Sequence, residues 1–248
     1  MVDWGACLAQ AAPGLLAGTL LRLVESQEQV ATNQLVSSLG RQSVLEELLE
    51  QTKPPLPHGT EGLHYLLATP FRYPPLQWGS RYGTRAEPGL FYGSLTTTTV
   101  LWEAAFYRFV FWHGMKTPPP AKLDTQHTLF GAEYLTVYGL RLQDAPFKAF
   151  QATLTDPADY RESKALGHKM REMRVQAFEC ISARDPAHGI NVALYTPEAL
   201  ANPKPVSQEA WLGEVDGAHV KFRAAHGKDV HDFPLEAFLV AGKLPQPA

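Results

Sequence analysis

The sequence predicts an α+β fold, a mixed sheet core with helices, preceded by an N-terminal helical segment. Three observations carry that expectation. Beyond residue 66 the chain breaks into short apolar runs punctuated by Pro and Gly, the pattern of strands. Two longer stretches of helical character sit among them, without the regular alternation that builds a doubly wound sheet. Before residue 66 the apolar residues recur at mostly helical spacing.

Taken in order, Leu20, Leu23/Val24, Val30, Leu35/Val36 and Leu39 form the first helical stripe, interrupted at Gln27. Ser43-Val44-Leu45-Glu46 reads as a capping box opening a second helix, with Val44, Leu45, Leu48 and Leu49 on its apolar face. Lys53-Pro-Pro-Leu-Pro57 stops it as a rigid linker. Strands are expected at Tyr65–Phe71, Gly89–Tyr92, Glu133–Leu142, Val175–Ile181, Asn191–Tyr195 and Ala218–Phe222. Helices are expected at about Thr98–Trp112 and, polar and basic, at about Asp159–Met173.

Composition narrows the function. A chain of 248 residues, 45% hydrophobic, buries roughly 70% of its unfolded surface and needs no disulfide or metal to fold. A net charge of −3 argues against a generally basic nucleic-acid binder. Cys7 and Cys180 form no C-x-x-C pair, which excludes a zinc ribbon or a disulfide framework. His226 and His231, five apart with a lysine between, match no zinc pattern, so no metal is expected. The start, Met1-Val-Asp-Trp-Gly5, has an acid where a secretory signal has Lys or Arg. The apolar run Leu15–Val24 is broken by Gly18 and Arg22 and is too short to span a bilayer. The expected setting is the cytoplasm, with no membrane contact.

Charge is unevenly spread. Residues 1–66 carry −4, whereas residues 67–116 and 160–184 each carry +3. Two basic segments in an acidic chain make an anion site for a phosphorylated small molecule if the fold brings them together; otherwise they are ordinary surface.

Glu103 stands out. It lies in Val100-Leu-Trp-Glu-Ala-Ala-Phe-Tyr-Arg-Phe-Val-Phe-Trp112, a helix apolar nearly all round and therefore buried. A buried carboxylate is costly unless it is paired or used. No cation lies one turn away, so a partner must come from another segment; the plainer readings are a Glu reaching solvent or a structural ion pair. Arg72 and Arg81, each followed by a tyrosine (Tyr73, Tyr82), suit bidentate phosphate binding with a stacked ring, or simple surface exposure. Tyr92 is a core aromatic or a pocket wall. Ser182, with no G-x-S-x-G elbow around it, is a ligand contact or a turn residue. Asn191 offers the same two readings.

In order, Phe71-Arg72, Gly79-Ser-Arg81-Tyr82, Leu90-Phe-Tyr92, Glu103-Ala104, Asp159-Tyr160 with Ser163, and Ile181-Ser182-Ala-Arg-Asp185 resemble the RES-domain toxins of bacterial toxin–antitoxin pairs. The likeness runs from about Tyr65 to Tyr195. It implies an ADP-ribosyltransferase-like sheet core, with residues 1–66 as an N-terminal helical extension and 67–248 as a RES-like catalytic domain. It further implies cleavage of NAD at the nicotinamide–ribose bond, by hydrolysis, by phosphorolysis or by ADP-ribosyl transfer to a protein. NAD would be a substrate, with no cofactor and no metal.

Carried over residue by residue, the resemblance makes Glu103 the catalytic acidic residue and places Arg72 with it in the catalytic set. Arg72 and Arg81 would contact the phosphates of NAD. Tyr92 would line the nicotinamide–ribose pocket, Ser182 would give a polar contact at that end, and Tyr73, Tyr82 and Asn191 would complete substrate binding. The implied partner is a cognate antitoxin with an Xre-like helix-turn-helix region; nucleic acid is not contacted directly. Residues 1–66 have no counterpart in the motif set and are open to self-association as a homo-oligomer, antitoxin docking or target choice. The rival expectations are a mono-ADP-ribosyltransferase acting on a cytoplasmic protein and a non-catalytic interaction module. The region after Tyr195 carries no transferable motif.

Overall fold

The computed structural model describes residues 2–26, 38–73, 75 and 79–246. Their order is α1 (Trp4–Gln10), β1 (Gly14–Glu25), α2 (Leu39–Thr52), α3 (Tyr65–Arg72), β2 (Phe91–Ser94), α4 (Thr97–Gly114), β3 (Leu123–Arg141), α5 (Gln151–Leu154), α6 (Arg161–Glu172), β4 (Ala177–Ile181), β5 (Ile190–Leu194), β6 (Ser207–Val215), β7 (His219–Ala224) and β8 (His231–Pro234). The fold is α+β, with a mixed sheet of order β1-β2-β5-β4-β3-β6-β7-β8. β3 and β4 run parallel and the other pairs antiparallel.

β3 organises the sheet because it is long enough to serve three partners. Over Leu123–Gly131 it pairs with β6, and over Gly139–Arg141 with β4. β1 pairs with β3 from Gly14↔Gly139 to Glu25↔His127, while Leu21 of β1 also meets Ser94 of β2. These pairings close a ring through β1, β2, β5, β4 and β3, and β6–β8 extend from it. α4 packs Val100, Leu101, Phe106 and Phe109 into one core with Trp211, Phe222 and Phe238.

Two expectations about local structure are corrected. Residues 14–25, read as part of a helical segment, form β1, a strand of the common sheet. Leu16 and Leu20 are its buried residues, 1% and 0% exposed. They are four apart because the intervening inward position is Gly18, where a Cβ would sit 3.0 Å from the Tyr134 hydroxyl. A strand with a glycine at every second inward site imitates the i, i+4 rhythm of a helix. Residues 65–71, read as a strand, form the helix α3. His64 caps it by accepting from the Leu66 amide, and Leu67 and Phe71, one turn apart, are buried. A short continuous apolar run does not by itself distinguish the two states.

Boundaries moved elsewhere. The second helix starts at Leu39, capped by Ser38 rather than Ser43. β3 begins ten residues before the expected Glu133, and β6 and β8 had not been anticipated. Much of the first apolar stripe, including Val30, Leu35 and Val36, lies outside the described residues. Among the described residues, no helix is long and apolar enough to cross a membrane.

Candidate active site

α4 begins at a chain of threonines, whose poor helix propensity is offset by capping. The Thr96 hydroxyl accepts from the Thr99 amide at 3.2 Å, the arrangement an N-cap needs. Seven residues on, Glu103 lies half-buried in the wall of a cavity of about 580 Å³. That volume falls within the roughly 300–1,000 Å³ of small-molecule sites. β1, α3, the 79–94 segment and α4 supply most of its walls.

The Glu103 carboxylate has neutral partners, both from other segments. Ser182 Oγ, just past β4, donates to Glu103 Oε1 at 2.6 Å, and Asn191 Nδ2 of β5 donates to the same oxygen at 2.6 Å. Each donor is itself fixed. Ser182 Oγ accepts the backbone amides of Arg184 and Asp185, both at 3.1 Å. With both lone pairs engaged, its single proton goes to Glu103. Asn191 Oδ1 accepts from Ser94 Oγ at 2.6 Å across the β2–β5 pair, which turns its NH₂ toward Glu103. Oε2 has no protein donor among the described residues.

Four arginines line the cavity, and three of them have no carboxylate partner among the described residues. Arg22 of β1 donates to the Tyr92 carbonyl at 2.6 Å and lies over the Phe91 ring, while its buried Nε has no partner. Burial lowers its pKa to about 10, so it is charged at neutral pH. Arg81 donates to the carbonyls of Leu154 and Asp156 and stacks 4.1 Å over the Tyr160 ring. Arg184, only 7% exposed, donates to the Tyr160 hydroxyl at 2.5 Å and stacks 3.5 Å over Phe106. Arg108, by contrast, is paired with Glu25 at 2.6 Å. A buried guanidinium facing only carbonyls, hydroxyls and rings leaves positive charge for a ligand to neutralise.

The residues singled out from sequence are distributed as follows. Arg81, Tyr92, Glu103 and Asn191 line the cavity together, and Ser182 reaches it through Glu103. Tyr92 OH bonds to Ser80 Oγ at 3.1 Å and accepts the Tyr82 amide at 3.3 Å. Burial pushes the Tyr92 phenol up to about 12, so it is neutral. Tyr73 lines the rim, 40% exposed. Tyr82 also borders the cavity, but its ring is packed edge-on against Phe178 in the core. Arg72 is not in the cavity wall. It donates through Nε to the Pro54 carbonyl and through one terminal nitrogen to Glu50 at 2.6 Å, tying α2 to the end of α3.

Arg22, Arg184, Tyr160, Tyr107 and Ser94 were given no role from sequence. Arg22 had a signal, a cation inside an otherwise apolar run, which was read only as a break in that run. Tyr107 lies one helical turn after Glu103, so both face the cavity. Tyr160 stands in the motif set without an assigned role and Ser94 gives no signal, because their roles come from which strands and rings they meet.

The family model of the RES domain matches residues 56–213. No curated protein matches the chain. The matched stretch holds Arg81, Tyr92, Glu103, Ser182 and Asn191, while Arg22 reaches the same cavity from β1, ahead of it. Because that match covers well over half of the sequence, the chain belongs to the RES domain family.

Proposed function

We propose that the protein is an NAD-cleaving enzyme, the toxin half of a toxin–antitoxin pair, which breaks the nicotinamide–ribose bond and so depletes NAD. The observation that carries this reading is the charge pattern of the cavity: three guanidiniums without carboxylate partners and one carboxylate with a free oxygen. A dinucleotide complements it. Its pyrophosphate brings two negative charges for Arg22, Arg81 and Arg184, and its pyridinium end brings a positive one for Glu103.

The chemistry fits those groups. Nicotinamide leaves as a neutral base from a cationic ring, so no proton need be delivered to it. The bond being broken is a glycosidic one, and the ribose develops oxocarbenium character. A fixed carboxylate beside that carbon stabilises the charge without reorganising. Ser182 and Asn191 hold Glu103 Oε1, leaving Oε2 for the sugar or for the incoming acceptor. Arginines on the pyrophosphate position the reacting end through binding energy remote from it. The chain needs no metal for this step. Its regulator would be a cognate antitoxin with an Xre-like region.

The test is product analysis by mass spectrometry. Purified, partner-free protein is incubated with NAD, with and without phosphate and with and without cell lysate, beside the Glu103→Gln variant. Nicotinamide release by the wild type alone supports the reading. The companion product names the acceptor: ADP-ribose for water, its phosphate ester for phosphate, a modified protein for ADP-ribosyl transfer. Absence of release from folded protein in every condition overturns it in favour of an interaction module.

A further inference from the structure

The turn that carries Ser182 is itself anchored to α4, by a residue that does not line the cavity. Asp185 is 4% exposed. Its Oδ2 accepts from Thr99 Oγ1 at 2.8 Å, its Oδ1 accepts the Ala187 amide at 2.9 Å, and its own amide is one of the two that hold Ser182 Oγ. Thr99 precedes Glu103 by four residues, so both lie on one face of α4. The 182–189 loop is closed by the Ser182 amide donating to the Gly189 carbonyl at 2.8 Å. A Cβ at Gly189 would sit 2.0 Å from Thr99 Oγ1 and 2.5 Å from Asp185 Oδ2. Only glycine lets the loop approach α4 this closely.

Two bonds one helical turn apart therefore join the same turn to the same helix: Thr99 to Asp185, and Glu103 to Ser182. We propose that Asp185 is a positioning residue for Glu103. Anchored by Thr99, it holds the turn in register so that the Ser182 hydroxyl has both lone pairs occupied and its proton committed to Glu103 Oε1. The carboxylate is thereby oriented with Oε2 toward the reacting centre. Asp185 does not line the cavity and acts only through Ser182. This rests on Glu103 being the reacting carboxylate.

The test compares Asp185→Ala, Thr99→Val, Ser182→Ala and the double variant Asp185→Ala/Ser182→Ala in NAD turnover, with backbone amide exchange as a second readout. Asp185→Ala and Thr99→Val are expected to lower kcat about tenfold with KM for NAD unchanged, the signature of an interaction that matters in the transition state. The double variant should be no slower than Ser182→Ala alone. Asp185→Asn should recover most of the rate. Its amide can donate to Thr99 Oγ1, which can in turn donate to Thr96 Oγ1 at 2.8 Å. The amide of residue 184 should exchange faster in Thr99→Val, a nearly isosteric change that keeps the fold.

Wild-type kcat in folded Asp185→Ala, or multiplicative losses in the double variant, would overturn the proposal. If Glu103→Gln turns over NAD normally, the functional reading fails first. Unchanged exchange at residue 184 in Thr99→Val rejects the anchor even if NAD is not the substrate.

Discussion

Arg81 and Arg184 are held by one tyrosine. The guanidinium of Arg81 lies 4.1 Å over the Tyr160 ring, and that of Arg184 donates to the Tyr160 hydroxyl at 2.5 Å. Two cations far apart in sequence are thus set on the same wall without an acid between them. Tyr160→Phe removes the hydroxyl but keeps the ring under Arg81, so NAD affinity should fall only a few-fold. Tyr160→Ala removes the support the two arginines share and should weaken binding at least tenfold, about 1.4 kcal/mol. Calorimetric titration of NAD into these variants in a Glu103→Gln background checks it, and equal affinity across the three proteins would reject the shared role.

Glu103→Gln should abolish turnover while changing the melting temperature by no more than a degree or two. Glutamine keeps Oε1, which can still accept from Ser182 and Asn191, so the donors described above stay satisfied. Only the charge and the second carboxylate oxygen are lost. Nicotinamide release at the wild-type rate by a folded variant would remove Glu103 from the chemistry.

The arginines give a graded expectation. Arg22→Ala and Arg81→Ala should each weaken NAD binding by one to two orders of magnitude, the range of charge-assisted bonds to phosphate. Arg72→Ala should leave affinity within about twofold, because its guanidinium is occupied by Glu50 and the Pro54 carbonyl. Titration of all three variants settles which arginines belong to the ligand. Strong loss in Arg72→Ala would mean that Arg72 leaves Glu50 when NAD binds.

How much of this was legible depends on whether a residue's role is local. Glu103 showed itself because an acid in an apolar helix is anomalous wherever the helix lies. The segment around Arg81, Tyr92 and Ser182 showed itself through order and spacing. Arg72 was equally visible, but its partner Glu50 comes from another helix, and no local pattern announces that pairing. Arg22 stayed hidden for a related reason. With Leu20, Leu23 and Val24 at helical spacing, β1 reads as a helix, and the face that Arg22 presents cannot be assigned until β1 is placed beside β3. Roles that depend on strand register, such as that of Ser94 opposite Asn191, were not readable from the chain alone.

Gly167 makes an unusual stability prediction. Replacing a helical glycine by alanine ordinarily stabilises by about 1 kcal/mol. Here a Cβ at Gly167 would lie 2.1 Å from the Tyr82 carbonyl oxygen, where α6 presses against the segment carrying Arg81. Gly167→Ala should therefore destabilise by roughly 2–4 kcal/mol and raise KM for NAD through the displaced Arg81. Urea denaturation together with steady-state kinetics tests both, and a stabilised variant would disprove the close contact.

His127 should impose an acid limit on stability. It is 3% exposed, and burial lowers its pKa from 6.5 to about 4. The folded state therefore keeps the ring neutral, with Nε2 bonded to Thr125 Oγ1 at 2.8 Å, over a range in which the unfolded chain takes up a proton. The unfolded state binds more protons between those two pKa values, so stability falls as pH drops from about 6.5 toward 4, by up to about 3 kcal/mol. Above about pH 7.5, where the unfolded ring is also neutral, the group contributes no slope. His127→Gln removes the titrating ring, and its stability should vary less with pH across that window even if it is lower at pH 7.5. Chemical denaturation at pH 7.5, 6.0 and 5.0 measures the two slopes. Identical slopes in both proteins would show that His127 titrates in the fold as it does in the unfolded chain, and would contradict its burial as a neutral base.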